Sequence, residues 1–340
     1  MSGLNSFLLI APTHFMNMDG DLLHVAARKG LDIVVHLLLD QPKTYKLRDS
    51  YDNATSEATR NDRDMALTSM NESRKKDVAF QEHPGGRTPL SYVAENGHIN
   101  IMDLLLKYNT EADKRDSIND RSPLSYAAEN GHEPVVQRLL GEDAEISQED
   151  IENKSPLAYA AKNGHKVIVG LLLANYAMVD WADNSDRTPL SYAAENGYAD
   201  IVQLLLDRNA ESDPWDRFNR TPLYYAARNG HEAIVQLLIE RNAEVDWVDQ
   251  VRRTPLSYAA ENGHGAIVRL LLNKKADADC KDLSSRTPLS YAAENGHKET
   301  AQLLFNKLTQ DDPEGWKDET LASYALKQGY EALYNQLQEP

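Results

Sequence analysis

The amino-acid sequence predicts an all-α solenoid of helix-turn-helix units joined by β-hairpin-like loops. The first observation is internal repetition, because variants of the string Arg-Thr-Pro-Leu-Ser-Tyr recur along the 340-residue chain. The second is a helix-start and a helix-stop signal in each copy. A unit of this size buries its apolar face only by stacking on a neighbour. The prolines of the string are 34 residues apart once and 33 residues apart thereafter: Pro89, Pro123, Pro156, Pro189, Pro222, Pro255 and Pro288.

The unit that starts at Thr254 illustrates the two predicted helices. The Thr254 hydroxyl can cap the first helix, and Pro255 suits the first helical position because its missing N–H has no helical partner there. Gly263 favours the left-handed conformation that ends a helix, and an amphipathic second helix is predicted from about Gly265. Asparagines, which tolerate the left-handed conformation, follow several second helices: Asn109, Asn209 and Asn242.

The repeat frame predicts four segments. Residues 1–40 hold an N-terminal segment and a first capping unit, and residues 87–315 hold seven well-formed repeats. Residues 316–340 form a C-terminal capping repeat without the proline. Residues 41–86 contain few large apolar side chains, so little burial offsets the entropy of ordering them. We expect a mobile insertion there, with a degenerate packed repeat as the alternative.

Charge and cysteine content argue against several functional classes. The chain has 36 basic and 53 acidic residues, and its net charge of −17 repels nucleic acids and anionic membranes. The single Cys280 can form neither an internal disulfide nor a thiolate metal cage, which favours an intracellular location, cytoplasmic or nuclear. The apolar stretch at residues 7–12 is too short for a signal-peptide core or a membrane span.

The repeated wording resembles the ankyrin repeat. Thr-Pro-Leu-x-x-Ala-Ala-x-x-Gly-His followed by Ile-Val-x-Leu-Leu-Leu covers most of the chain, and Ser-Tyr-Ala-Ala-Glu-Asn-Gly-His is similar to arrays common in filamentous fungi. The resemblance implies a non-enzymatic protein-protein interaction scaffold with a concave groove. The family usually has histidine after Thr-Pro-Leu, where this chain mostly has serine. We expect the tyrosine that follows to compensate by adding buried aromatic area.

Two charge rows are expected to line the groove of an ankyrin-like stack. A basic residue precedes nearly every Thr-Pro or Ser-Pro, and an acidic residue such as Glu195 or Glu261 ends most first helices. One interpretation is a ladder of exposed ion pairs, each of which contributes little to stability. The other is a groove of alternating sign that fixes the register of a partner.

Positions where the copies disagree are the candidate binding residues. Lys162 and Arg228 reverse the sign of the acidic row, and Tyr224 replaces serine. The hairpin before Pro222 is unusually aromatic, and exposed aromatic side chains beside arginine are typical of binding hot spots. Two of the tryptophans share one repeat position and could instead pack between hairpins. The predicted binding set is Lys162, Trp181, Glu195, Trp215, Arg217, Phe218, Tyr224, Arg228 and Trp247.

The leading hypothesis is therefore a scaffold that binds a protein of basic or mixed charge through its groove and hairpin tips. The sequence predicts no cofactor and no metal, because equivalent histidines in adjacent repeats are too far apart to share a zinc ion. A second hypothesis is a small-molecule site or an acid-base enzyme of the isomerase or cyclase type. Its catalytic candidates are Glu195, Glu261, Tyr224 and Arg228.

A third hypothesis makes the chain the ligand-sensing array of a larger immune-type receptor, since such fungal receptors often end in arrays of this kind. The two predicted capping units favour a free-standing protein instead.

Overall fold

The computed structural model describes residues 86–108, 111–316 and 321–338, together with residues 23, 25–32 and 34–35. The chain divides into two compact units, Met1–Ile151 and Glu152–Pro340. All predicted binding residues belong to the second unit. The insertion predicted at residues 41–86 lies outside the described residues except for Gly86, and Asn109 also lies outside them.

The first unit contains paired helices at the predicted positions. They are α1 (Pro89–Asn96), α2 (Ile99–Lys107), α3 (Pro123–Asn130) and α4 (Glu133–Leu140), and α1 packs against α3. Residues 25–29 ahead of them are helical. The Nε2 atom of His98 lies 3.4 Å from the carbonyl oxygen of Arg28, so the N-terminal helical segment contacts the first complete pair.

The second unit continues the pattern of a short helix that starts at proline, followed by a second helix. Within the described residues the connecting hairpins contain no regular strand, and the fold is the predicted all-α repeat solenoid. The helices are α5 (Pro156–Lys162), α6 (Lys166–Ala174), α7 (Pro189–Asn196), α8 (Ala199–Asp207), α9 (Pro222–Asn229), α10 (Glu232–Glu240), α11 (Pro255–Glu261), α12 (Gly265–Asn273), α13 (Pro288–Glu294), α14 (Lys298–Asp311), α15 (Leu321–Gln328) and α16 (Glu331–Gln338).

Helix α9 shows why the first helix of a repeat begins and ends where it does. The Thr221 hydroxyl accepts a hydrogen bond from the Tyr224 amide at 3.3 Å, and Pro222 follows the cap. Gly230 ends the helix with a φ of 82°. A Cβ atom there would lie 2.8 Å from the His264 ring, so both the backbone angle and the close approach require glycine.

The core lies between helices of neighbouring repeats. On α9, Leu223, Ala226 and Ala227 are fully buried, and this helix packs against α7 on one side and α11 on the other. On α10, Ile234 and Val235 are also buried. The alanines let first helices approach closely, so each repeat stabilises the next.

The histidines of the Gly-His pairs join consecutive repeats. The Nε2 atom of His231 lies 3.0 Å from the Glu195 carbonyl oxygen, and that of His264 lies 3.1 Å from the Arg228 carbonyl oxygen. These carbonyls belong to the last turn of the preceding first helix, where no further helical N–H is available. The row of histidines thus has a structural role.

Second helices end near a residue in the left-handed conformation, as predicted from the asparagines. Asn209 has a φ of 62° and Asn242 a φ of 65°. Tyr176 occupies the same repeat position after α6, with a φ of 68° and 93 % of its side chain exposed. Tyrosine lacks the local hydrogen bonding by which asparagine tolerates this conformation.

We expect Tyr176→Asn to raise the free energy of unfolding by about 0.5–1 kcal/mol, because it relieves the left-handed strain without removing a buried contact. The midpoint of urea unfolding measures this change. The matched control is Asn209→Tyr, which should lower the midpoint by a similar amount. A Tyr176→Asn protein that is less stable than the parent would contradict the strain argument.

Candidate functional site

An ordinary repeat of the second unit ties its hairpin to its first helix through one aspartate. The Asp249 Oδ1 atom accepts hydrogen bonds from the Val251 and Arg253 amides at 3.0 and 2.9 Å. Its Oδ2 atom accepts a hydrogen bond from the Tyr258 hydroxyl at 2.6 Å. Burial and this hydrogen bond raise the pKa of Tyr258 well above its usual range. The tyrosine ring is therefore held in one position.

In such a repeat the arginine before the first helix lies between two tyrosine rings. The Arg253 guanidinium carbon is 3.8 Å from the centre of the Tyr258 ring and 3.9 Å from that of Tyr291 in the next repeat. The guanidinium also pairs with Glu261 at 2.6 Å. We call this alternation of arginine and tyrosine the Arg–Tyr ladder. Its Arg–Glu pairs within the described residues are Arg87–Glu95, Arg121–Glu129, Arg187–Glu195, Arg253–Glu261 and Arg286–Glu294.

The tyrosine row does more than the sequence predicted for it. The rings are buried, as expected, and each hydroxyl that donates to a hairpin aspartate also fixes the loop to the helix. Beyond burying aromatic area, the tyrosines thus each add a hydrogen bond between the first helix and the hairpin. The contacts are Tyr126–Asp116, Tyr192–Asp183, Tyr225–Asp216, Tyr258–Asp249 and Tyr291–Asp282.

The repeat that contains α9 interrupts the Arg–Tyr ladder. The Tyr224 ring lies edge-on to Tyr225 and Tyr258, with centroid distances of 4.9 and 4.5 Å. It fills the space that an arginine occupies in neighbouring repeats. Arg220 turns instead to Asp216, with its Nε and Nη2 atoms 2.9 and 2.7 Å from Oδ2. The ladder therefore contains a tyrosine in place of an arginine at this step.

The same change explains the reversed charge at Arg228. Since Arg220 pairs with Asp216, it does not need a glutamate at the end of α9. The exposed Arg228 donates from Nη1 to the Tyr224 hydroxyl at 3.1 Å. Tyr224 and Arg228 are thus one structural substitution rather than two independent ones, and Tyr224 itself is buried.

The second sign reversal, at Lys162, lies two repeats earlier. Lys154 replaces the ladder arginine and pairs with Glu152 at 2.9 Å. Lys162 is exposed, and its Nζ atom is 5.8 Å from the centre of the Tyr192 ring. Both reversed positions thus project a cation from the end of a first helix.

The three hairpin tryptophans divide into two kinds. Trp181 and Trp247 each donate from the indole nitrogen to a carbonyl of the preceding hairpin, Asn153 at 3.0 Å and Asn219 at 3.1 Å. They pack between hairpins, which is the structural alternative considered for them. Trp215 is 55 % exposed and stacks on Trp247 with a centroid distance of 5.5 Å. It is therefore an exposed ring with a rigid support.

Consecutive hairpins are linked by backbone hydrogen bonds that align their tips. The Gln250 amide donates to the Phe218 carbonyl and the Leu283 amide to the Val251 carbonyl, both at 3.1 Å. The tips carry Phe218, Val251 and Leu283, which are 44 %, 46 % and 67 % exposed. We call Trp215, Phe218, Val251 and Leu283 the hairpin edge. The sequence analysis missed Val251 and Leu283. A search for apolar residues directly after the hairpin aspartates would have identified them, because Val251 is two residues after Asp249 and Leu283 is one residue after Asp282.

Arginines flank the aromatic part of the hairpin edge. The Arg220 guanidinium carbon is 4.5 Å from the Phe218 ring centre and 5.5 Å from that of Tyr224, and Arg217 is 5.3 Å from Phe218. The structure therefore brings together Arg217, Phe218 and Tyr224. Arg228 joins them through its hydrogen bond to the Tyr224 hydroxyl. Lys162 and Trp181 belong to earlier repeats.

The residues of the enzyme hypothesis are held in structural contacts. Glu195 pairs with Arg187 and Glu261 with Arg253, both at 2.6 Å, while Tyr224 is buried between aromatic rings. A cavity of about 310 Å³ lies at the other end of the unit, lined by residues of α15 and α16 and the turn between them, including Leu326 and Tyr334. None of the catalytic candidates lines that cavity. The enzyme hypothesis stays a prediction.

Comparison with known families agrees with the repeat geometry. A family model described as ankyrin repeats (3 copies) matches residues 23–150, 124–215 and 209–282. The chain belongs to the ankyrin-repeat family. Ankyrin repeats are generally protein-protein interaction modules. A search of the curated proteins found no match to this sequence.

The ankyrin helices are short. In the part of the chain that the structure describes, no helix has the length and apolar character needed to cross a bilayer. The thiol of Cys280 is half-buried, and burial together with the carboxylates of Asp277 and Asp246 raises its pKa. The raised pKa keeps Cys280 protonated at neutral pH and a poor nucleophile.

The hairpin carboxylate of the α9 repeat gives a pH-dependent prediction. Burial raises the pKa of Asp216, but the Arg220 guanidinium, the Tyr225 hydroxyl and two backbone amides outweigh burial, so the pKa is lowered. The folded-state pKa lies below the unfolded value of about 3.9. The stabilisation from the Asp216 carboxylate is therefore complete above the unfolded value and disappears as pH falls through the folded-state pKa. We expect Asp216→Asn to lower the free energy of unfolding by about 2 kcal/mol at pH 7, and by less near pH 3.

Urea unfolding at pH 7, 5 and 3 measures the difference between the two proteins. The control is Asp213→Asn, because burial and the nearby Glu244 charge raise the pKa of Asp213 although the Glu244 amide opposes them. Removing that charge should leave stability at pH 7 unchanged or increase it. An Asp216→Asn effect that does not shrink in acid would refute the role assigned to the carboxylate.

The coupling of Tyr224 and Arg228 is also testable. Tyr224→Ser alone should lower the free energy of unfolding by about 2–4 kcal/mol, because it empties the space between two rings. In an Arg228→Glu background the loss should be smaller by about 1 kcal/mol, since Arg220 can then enter the ladder and pair with the new carboxylate.

A double-mutant cycle of urea unfolding, with the parent, both single variants and the double variant, gives this coupling energy. Strict additivity would mean that the two substitutions are independent.

Proposed function

We propose that the chain is a non-enzymatic scaffold that binds a partner protein through the hairpin edge and the adjoining ends of the first helices. The observation that carries this proposal is the exposure of four large apolar side chains on consecutive, hydrogen-bonded hairpins. Contiguous exposed apolar surface is unusual in soluble proteins and is typical of interaction sites.

The aromatic residues of the hairpin edge are suited to binding because they are pre-positioned. Trp215 stacks on Trp247, and the Phe218 ring lies within 5.3 Å of the guanidinium carbons of Arg217 and Arg220. Rigid aromatic side chains lose little conformational entropy when a partner covers them. Aromatic residues and arginine are also the types most often found at hot spots.

The surface supports a partner of mixed charge. Arginines lie beside the aromatic rings, while the first-helix ends carry glutamates paired with arginines and the two exposed cations Lys162 and Arg228. Alternating charge contributes to specificity and register more than to affinity. The apolar hairpin edge would then supply most of the binding energy.

Affinity capture from cells that express the protein tests the proposal, with the recovered proteins quantified by mass spectrometry. We expect the double variant Trp215→Ala and Phe218→Ala to lose at least tenfold of the specific partner recovered by the parent. Each ring buried at a hot spot contributes about 2 kcal/mol or more.

The matched control is Val167→Ala, which removes an exposed apolar side chain from α6, outside the hairpin edge. It should recover the partner as the parent does. Equal recovery by the double variant, with its unfolding midpoint unchanged, would exclude the hairpin edge as the binding surface.

A further inference from the structure

We infer that the bound segment of the partner presents two carboxylates, one to Lys162 and one to Arg228. This inference rests on the proposed function and identifies the chemistry of the recognised segment. It follows from which charged side chains at the ends of the first helices in the second unit are paired and which are not.

The glutamates in this row are already neutralised within their own repeats. Glu195 ends α7 and pairs with Arg187, and Glu261 ends α11 and pairs with Arg253. The paired arginines are themselves stacked between tyrosine rings, so they cannot turn away to another group without leaving the ladder. These steps of the row carry little uncompensated charge.

Lys162 and Arg228, in contrast to the glutamates, carry charges that are not neutralised within their own repeats. Lys162 ends α5 and Arg228 lies in the last turn of α9, and both side chains are exposed. Their contacts are to the Tyr192 ring and the Tyr224 hydroxyl, and neither forms an ion pair with any carboxylate that the structure describes. Each therefore offers a full positive charge to an incoming group.

In the repeats of Lys162 and Arg228, the basic residue that precedes the first helix forms an ion pair away from the end of that helix. Lys154 pairs with Glu152 and Arg220 with Asp216, instead of reaching toward the end of the first helix. In both repeats the preceding cation thus pairs with a carboxylate two or four residues before it, although Lys154 stays near the Tyr159 and Tyr192 rings and Arg220 is displaced by Tyr224. Both pairings leave Lys162 and Arg228 available.

The repeat stacking sets the distance between the backbone positions that carry the two cations. Helix α5 packs on α7, and α7 packs on α9. With 8–10 Å between packed helices, equivalent positions two repeats apart are separated by about 16–20 Å. An extended segment spans this distance in about five or six residues at 3.3 Å each. A helical segment needs about 11–13 residues at 1.5 Å each.

The net charge of −17 restricts the segment further. A long acidic run would be repelled by the chain as a whole, whereas two isolated carboxylates are attracted at short range by the two cations. The recognised segment is therefore one of mixed composition with an acidic pair at the stated separation, next to apolar side chains that reach the hairpin edge.

Selection from a random 16-residue peptide library displayed on phage tests this inference. Peptides retained by the parent protein should be enriched in pairs of Asp or Glu, five or six positions apart if extended or 11–13 apart if helical. A synthetic peptide with the enriched pair should bind about tenfold more weakly to Lys162→Glu and to Arg228→Glu. Both variants introduce the residue that other repeats carry at this position, so the fold should tolerate them.

The control is Arg208→Glu, which makes the same change of charge at an exposed position after α8. It should bind the peptide as the parent does, within about twofold. Replacing the matching peptide carboxylate by lysine should restore binding to Arg228→Glu and weaken binding to the parent.

Three results would overturn the inference: no enriched acidic pair, a pair without preferred spacing, or equal weakening by Arg208→Glu. If selected peptides lack the acidic pair but lose binding on Trp215→Ala with Phe218→Ala, the scaffold proposal stands and the acidic-pair inference fails. If the binding of selected peptides changes neither with the variants of Lys162 and Arg228 nor with Trp215→Ala and Phe218→Ala, the proposed function fails as well.

Discussion

In five repeats a hairpin aspartate connects the loop to the first helix through one carboxylate. In the α11 repeat, Asp249 accepts two hairpin amides through one oxygen and the Tyr258 hydroxyl through the other. Hydrogen bonds to an ionised carboxylate are stronger than neutral ones, and here they replace water in a largely buried site. The aspartate thereby orients a tyrosine ring at a fixed height along the stack. The contacts of Arg253 with Tyr258 and Tyr291 depend on that orientation.

The oriented rings of consecutive repeats leave a space between them, and one flat group can fill it. In the repeats of Arg87, Arg187 and Arg253 the group is a guanidinium, which contacts two tyrosine rings and pairs with a glutamate. In the α9 repeat it is the Tyr224 ring. The displaced Arg220 then lies beside Phe218, so a change in the ladder alters the charge at the helix end and the surroundings of the hairpin tip together.

This coupling has a functional consequence for the proposed scaffold. The step at which the ladder departs from its pattern is also the step with the stacked Trp215 and an exposed cation at Arg228. An apolar edge supplies binding energy, while isolated charges set the register along an otherwise repetitive surface. Near-identical repeats need such local differences in apolar surface and charge, because a uniform surface would bind a segment equally well in several registers.

The sequence by itself determined the repeat length, the starts of the first helices and the left-handed glycines, because capping and backbone sterics act over a few neighbouring residues. It also identified Lys162, Trp215 and Arg228 as departures from the pattern. Only the tertiary structure decided that Tyr224 and Arg228 form one substitution, that Trp247 supports Trp215, and that Val251 and Leu283 extend the exposed edge. These features depend on contacts between repeats about 33 residues apart, and which ring or guanidinium fills a slot is set by the neighbouring repeats rather than by local sequence.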